Sequence, residues 1–324
     1  MAAVYLEDKL DKLLSMEYMT KNTKGKHQTN FFIRNAEYQL EHSRYQYEKT
    51  LPLAKSYYNV IKSALPEIKK IKYVGALDDD MLMWNVMLYF LTKEISTSDD
   101  RMIKELHLEH GAPIRPDGTR HWVRATFTSD DIMKTDKSED GAFKEFGLDA
   151  GGFGLKSNYI TPENIRSIQL DSPFICDWRT LSTNEMQGIK RVLELQKNGE
   201  EPNNYDKAII SALIEKGYVS RIDGKLSLHI LYFDVQQKKE LDDVLDKYAG
   251  KLLNRDENEK IYIGYSEHLK KFIPSCVSEN ERNHNITSYD PYNAVLWLLM
   301  KNGYLKKPDS AERKYICTVM WSFE

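Results

Sequence analysis

Between Thr20 and Ala36 the chain holds no acidic residue, while Lys21, Lys24, Lys26 and Arg34 are cationic and His27 stands among them. A turn carrying several cations can follow a phosphate backbone, with a sequence-independent affinity that falls as salt rises. Lysine-rich hairpin tips are also common as ordinary solvated surface, so composition alone marks these five residues as a nucleic-acid candidate and no more.

Other residue groups that could do chemistry are weaker. His107 and His110 lie three apart on a helical pattern, with Glu109 and His121 close in sequence. Two imidazoles on one face could begin a metal site, but no cysteine or second carboxylate cluster completes it. The run from Gly147 to Ser157 resembles a phosphate loop, yet Leu155 stands where such a loop needs glycine before Lys156-Ser157. Cys176, Cys276 and Cys317 are scattered and odd in number, which fits small buried thiols in a reducing compartment rather than a disulfide framework. No Gly-x-Ser-x-Gly, His-Glu-x-x-His or Cys-x-x-Cys motif occurs. The expectation is a non-enzyme with no catalytic residues, no metal and no cofactor.

The elements that would present the cations form a pattern seen three times: a helix, a sharp stop at a tyrosine, then a two-strand ribbon. The first stretch runs from Tyr5 through Tyr18 to Ile33, the second from Tyr205 through Tyr218 to Phe233, the third from Tyr292 through Tyr304 to Trp321. Helix, strand, turn, strand is the back half of a winged helix-turn-helix. In the first stretch Leu10, Leu13, Leu14, Phe31 and Ile33 are expected to face one core. The second turn carries Arg221 and Lys225 beside Asp223; the third has Lys306, Lys307, Arg313 and Lys314, offset by Asp309 and Glu312. Packing or partner contacts suit these two better than nucleic acid. Because a winged helix has helices before its recognition helix, residue 1 is read as an internal start.

Between the repeats, Tyr47, Leu51, Ala54, Tyr58, Ile61, Leu65 and Ile68 form a helical seam, which at Pro52 either kinks or restarts with Thr50 as N-cap. Lys69, Lys70 and Lys72 read as a solvated helix end. Asp78-Asp79-Asp80 opens an apolar helix over 81–91, and Ser98-Asp99-Asp100 caps another that ends at Gly111. A turn over 114–119 leads into a strand over 120–127. Thr161-Pro162-Glu163 and Ser182-Thr183-Asn184-Glu185 start helices; Asn198 to Asn204 reads as a linker; a charged helix covers 236–253 and a short strand 261–263.

At 324 residues, 41% hydrophobic and 29% charged, the chain is long enough for several cores, and its net charge of −3 excludes a protein basic throughout. No run of eighteen apolar residues suggests a membrane span, and no secretory leader is visible, so a cytoplasmic location is expected. The fold class expected is α+β, mostly helical, with winged-helix-like units over 1–72 and 201–324 around a central α+β domain over 73–200.

The segment from Tyr5 to Leu14, continued by Lys26-His27-Gln28-Thr29-Asn30-Phe31-Phe32-Ile33, resembles a stretch in the C-terminal extension of long sigma-70-like RNA polymerase sigma factors of Gram-positive bacteria. The resemblance implies a transcription-regulatory module whose partners are DNA, RNA polymerase or another protein, or further copies of itself. The promoter-reading sigma regions themselves are not visible in this chain. A ligand-sensing or protein-interaction module that does not touch DNA is the alternative, with Trp84, Trp122, Trp178 and the glycine-rich run around a pocket.

Overall fold

The computed structural model describes residues 2–31, 33–34, 38, 41, 45–72, 77–105, 114–119, 125–126, 154–160, 165–171, 181–279, 282, 295–296, 298–300, 302–306 and 318–322. Helix predominates over strand among them, so the molecule is a mixed α+β protein, mostly helical. The chain divides into two compact units. One holds Met1–Thr50, Ser96–Asp149 and Asn254–Pro291; the other holds Leu51–Ile95, Ala150–Leu253 and Tyr292–Glu324. The boundaries expected near residues 72 and 200 both fall inside the second unit.

In the first unit, helix α1 (Ala2–Ser15) leads into the antiparallel hairpin of β1 (Met19–Lys21) and β2 (His27–Thr29), with Met19 opposite Thr29 and Lys21 opposite His27. Strand β3 (Ile33–Arg34) pairs in parallel with β4 (Ala125–Thr126). Helix α7 (Arg255–Lys270) runs through residues 261–263, where a strand is expected from sequence. Its start is well marked: the Asn254 side chain accepts from the Glu257 backbone N–H, and Asp256 and Glu257 lie in the first turn. Those signals outweigh the local strand propensity of Ile261-Tyr262-Ile263. The Tyr45 hydroxyl donates to the Ile261 carbonyl, 2.9 Å, and lies against Gly264, where a Cβ would meet it at 2.9 Å.

The second unit is built on α2 (Leu51–Ile68), the first half of α3 (Asp79–Glu105) and α6 (Val235–Leu252). A single π-helical turn (Gln46–Thr50) runs directly into α2, so the helix continues through Thr50 and Pro52 without restarting. Leu53, Ala54, Tyr57, Val60, Ile61, Ala64 and Ile68 form its buried face. Tyr58 and Leu65, expected in that seam, are only half-buried. Helix α3 is capped by Asp78, which accepts from Met81 N–H at 2.8 Å, and buries Met81, Leu82, Trp84 and residues 85–91. It continues unbroken to Glu105, so Ser98-Asp99-Asp100 lies within a helix instead of capping a new one.

A four-stranded sheet completes this unit in the order β5 (Gly154–Ile160), β6 (Ile165–Asp171), β10 (Thr318–Ser322), β9 (Leu231–Phe233). β6 is antiparallel to both of its neighbours, β5 and β10, and β9 joins β10 in parallel. Residues 165–171 are therefore strand, although a helix is expected to start at Thr161; Ile165 and Ile168 find partners far along the chain in Ser322 and Val319 of β10. Helices α4 (Thr183–Asn198) and α5 (Asn204–Glu215) and the hairpin of β7 (Val219–Ile222) and β8 (Lys225–Leu228) share one apolar core with Met320 of β10. The expected linker, Asn198 to Asn204, is a short connection between two helices of that core. Residues 129–141, whose polar and charged composition reads as a surface loop, lie outside the described residues.

Candidate nucleic-acid interface

All three tyrosine stops have the same backbone geometry. The residue before the tyrosine is left-handed: Glu17 with φ 60°, Gly217 with φ 79° and Gly303 with φ 72°. Its N–H donates three residues back, from Glu17 to Leu14, Gly217 to Ile214 and Gly303 to Met300. The tyrosine N–H donates five residues back, from Tyr18 to Leu13, Tyr218 to Leu213 and Tyr304 to Leu299. This is the Schellman end of a helix, which satisfies carbonyls that the helix leaves open. The tyrosine carbonyl then opens the hairpin, accepting from Asn30 in the first stretch and His229 in the second, each at 2.9 Å.

The third stretch departs after its stop. β10 is flanked by β6 and β9, so both its edges are taken and it does not pair as a local ribbon. Lys307, Arg313 and Lys314 lie outside the described residues. In the second stretch the strand expected over 226–233 divides. β8 stays in the hairpin and β9 passes into the larger sheet.

At the first hairpin tip, the Asn22 side chain accepts from Lys24 N–H at 2.9 Å and Lys26 N–H at 3.0 Å. Asn22 N–H donates to Lys26, Gly25 N–H donates back to Asn22, and Gly25 has φ 72°. Asparagine closes such loops because its short amide reaches backbone N–H groups two to four residues on, and glycine accepts positive φ without a Cβ clash. The result is an ordered tip on which Lys21, Lys24, Lys26 and His27 are all exposed. None of these four side chains makes an ion pair with a described carboxylate. Arg34, the fifth expected member, is placed in β3, apart from the hairpin ladder, and its side chain is not described. Behind the tip, Arg115 is buried with its guanidinium 5.2 Å from the Tyr18 ring centre. Sequence reading missed this residue, whose only local signal was the turn that Asp117 closes by accepting from Thr119.

Of the expected core face, Leu10, Leu14 and Phe31 are half-buried, whereas Leu13 is 37% exposed. A helix stop that uses the Leu13 carbonyl fixes its backbone but does not require its side chain to turn inward.

The second hairpin turns at Asp223-Gly224, both at positive φ, and exposes Arg221, Ile222 and Lys225. Its support is polar as well as apolar. Arg191 of α4 reaches the buried carboxylate of Asp206 at 3.2 Å, and Asp206 also closes the Asn203 capping box of α5. The Arg191 hydrogen bond holds the Asp206 carboxyl below the usual aspartate range. Glu185 closes the Ser182 capping box of α4 and takes Lys216 at 2.6 Å. Burial alone would push Glu185 up; Lys216 and Ser182 outweigh it and hold it below its ordinary value.

No group of histidine, cysteine and carboxylate side chains among the described residues could hold a metal ion, and His107, Glu109, His110 and His121 lie outside them. Lys156 and Ser157 sit within strand β5, whereas a phosphate loop needs them at a helix start. Among the described residues no helix is long and apolar enough to cross a membrane. Comparison with protein-family models, curated proteins and solved structures finds no match.

Proposed function

We propose that this chain is a non-enzymatic transcription-regulatory module that contacts a nucleic-acid backbone through its first hairpin, in association with RNA polymerase or another regulator. The observation that carries the reading is the ordered tip: Lys21, Lys24, Lys26 and His27 stand exposed around the Asn22 turn, none of them ion-paired to a described carboxylate. Cations held on a stiff loop lose little freedom when they meet phosphates. The likeness of Tyr5–Ile33 to the sigma-factor extension supports the same context.

Fluorescence anisotropy with labelled duplex DNA tests the reading. Neutralising about four phosphates gives a log–log salt slope of roughly −3 to −4. Lys21→Ala/Lys24→Ala/Lys26→Ala should flatten it to about −1 while leaving the melting temperature unchanged. An absence of binding at low salt would favour a partner-binding module. The exposed Ile222 at the second hairpin tip, 54% accessible, is the feature that suits that second reading.

A further inference from the structure

Helix α2 has a second surface that the hairpin reading does not use. Lys55 and Lys62 are exposed on it, and Lys69 follows just past the helix end. Steps of seven residues are close to two helical turns, so the three ammonium groups stand in a row at roughly 10 Å intervals. Asn59 and Ser63 are exposed on the same side, while Ala54, Ile61 and Ile68 face the core. From Leu51 to Lys72 the only carboxylate is Glu67, which turns to α6 and accepts from Lys247 and the Tyr248 hydroxyl, each at 2.7 Å. Lys55 and Lys62 make no ion pair with a described residue. Lys69 is paired with Asp79 at 2.6 Å, which marks the end of the open row.

Two aromatic rings stand among these cations. Tyr58 and Tyr304 are half-buried, with ring centres 5.1 Å apart at 60°. The Lys62 ammonium lies 5.6 Å from the Tyr58 ring centre and the Lys55 ammonium 5.9 Å from that of Tyr304. Both are long, exposed cation–π contacts, which are weak and readily exchanged.

We propose that this face of α2, with Tyr58 and Tyr304, binds a single-stranded nucleic acid. The lysines take phosphates and the rings take bases, the combination by which proteins hold single strands without reading sequence. A duplex keeps its base faces stacked and could use only the lysines. An anionic membrane would need apolar side chains to bury, and Lys55, Asn59, Lys62 and Ser63 offer none. The inference is independent of the first hairpin, which lies in the other unit and uses other residues.

The test is anisotropy of the full chain with labelled oligo-dT of about 20 nucleotides, long enough to span such a row. Lys55→Ala/Lys62→Ala should lower the salt slope by about 1.4, the single-strand value for two phosphates. Tyr58→Leu and Tyr304→Leu should each weaken binding about tenfold, with the lysines intact. Alanine is the better helix former and the lysines are exposed, so the double variant should fold; Lys55→Arg/Lys62→Arg should keep the slope. In a Lys21→Ala/Lys24→Ala/Lys26→Ala background, which removes the hairpin's own phosphate contacts, oligo-dT binding should persist and still respond to the Lys55/Lys62 and tyrosine changes. The proposal is overturned by no oligo-dT binding at low salt, or by binding that ignores the Lys55/Lys62 or tyrosine changes. In the hairpin-lysine background, equal affinity for duplex or complete loss of oligo-dT binding overturns it too. Capture by phosphatidylserine vesicles without oligo-dT binding would reassign the face to lipid.

Discussion

The Asn30 side chain donates to the Glu17 carbonyl at 2.9 Å, tying the strand that leaves the first hairpin to the helix stop that begins it. Its oxygen accepts from the Ser278 backbone N–H, also at 2.9 Å. Asn30 is buried, so both groups would be left without water if it were removed. Asn30→Ala should therefore cost about 2 kcal/mol. Glu17 itself occupies the left-handed position that is glycine in the other two stops. A side chain there costs about 1 kcal/mol. Glu17→Gly should stabilise the protein by at most about 0.5 kcal/mol, since the strain removed slightly exceeds the added freedom of the unfolded chain. Urea unfolding of the two variants checks both signs; a destabilised Glu17→Gly protein would contradict the strain argument.

Gly188 sets how closely α4 approaches α5. A Cβ added there would lie 2.1 Å from the Ile209 Cγ2 atom and 3.4 Å from Leu213. Alanine is the better helix former by about 1 kcal/mol, yet overlap of that size forces the helices apart. Gly188→Ala should destabilise by about 1–3 kcal/mol. In an Ile209→Ala background the same change should become neutral or stabilising. The double-mutant cycle measures that coupling, and strict additivity would show that the contact does not control the packing.

These two sites also show what the sequence made legible. Glu17-Tyr18, Gly217-Tyr218 and Gly303-Tyr304 mark the helix stops because local backbone chemistry alone decides them. The same holds for Asp223-Gly224, whose two positive φ values a tight hairpin turn demands, and for the Ser182-to-Glu185 capping box. What stayed hidden depends on partners remote in sequence. Strand β10 looks like half of a ribbon until β6 and β9 are placed beside it. Ile261-Tyr262-Ile263 reads as strand until the Asn254 cap and the Tyr45 contact are known. In the candidate interface Lys21, Lys24, Lys26 and His27 were readable, since their type and the acid-free run identify them. The Asn22 loop that orders them and the buried Arg115 were not.

Acid sensitivity should come in two separable steps. His229 bridges to the Ser220 hydroxyl at 2.9 Å, and burial lowers its pKa from the ordinary 6.5. The unfolded chain then binds the proton more readily, so this contribution is complete above about pH 6.5 and is lost as pH falls towards the folded value. Asp242 answers at lower pH. Burial would push its carboxyl up, but hydrogen bonds from Lys238 at 2.6 Å and Tyr89 at 2.8 Å, with the charges of Lys93 and Lys238, hold it below 3.8. Its contribution is complete above pH 3.8 and is lost as pH falls through the depressed value. His229→Gln should flatten the stability profile just below pH 6.5 and leave the lower limb intact. Asp242→Asn should do the reverse, and should also lower stability at neutral pH, because Lys93 and Lys238 keep their charges beside a neutral amide. Unfolding midpoints measured from pH 3 to pH 8 separate the limbs. A profile in which either variant removes both would show that the two groups titrate as one network.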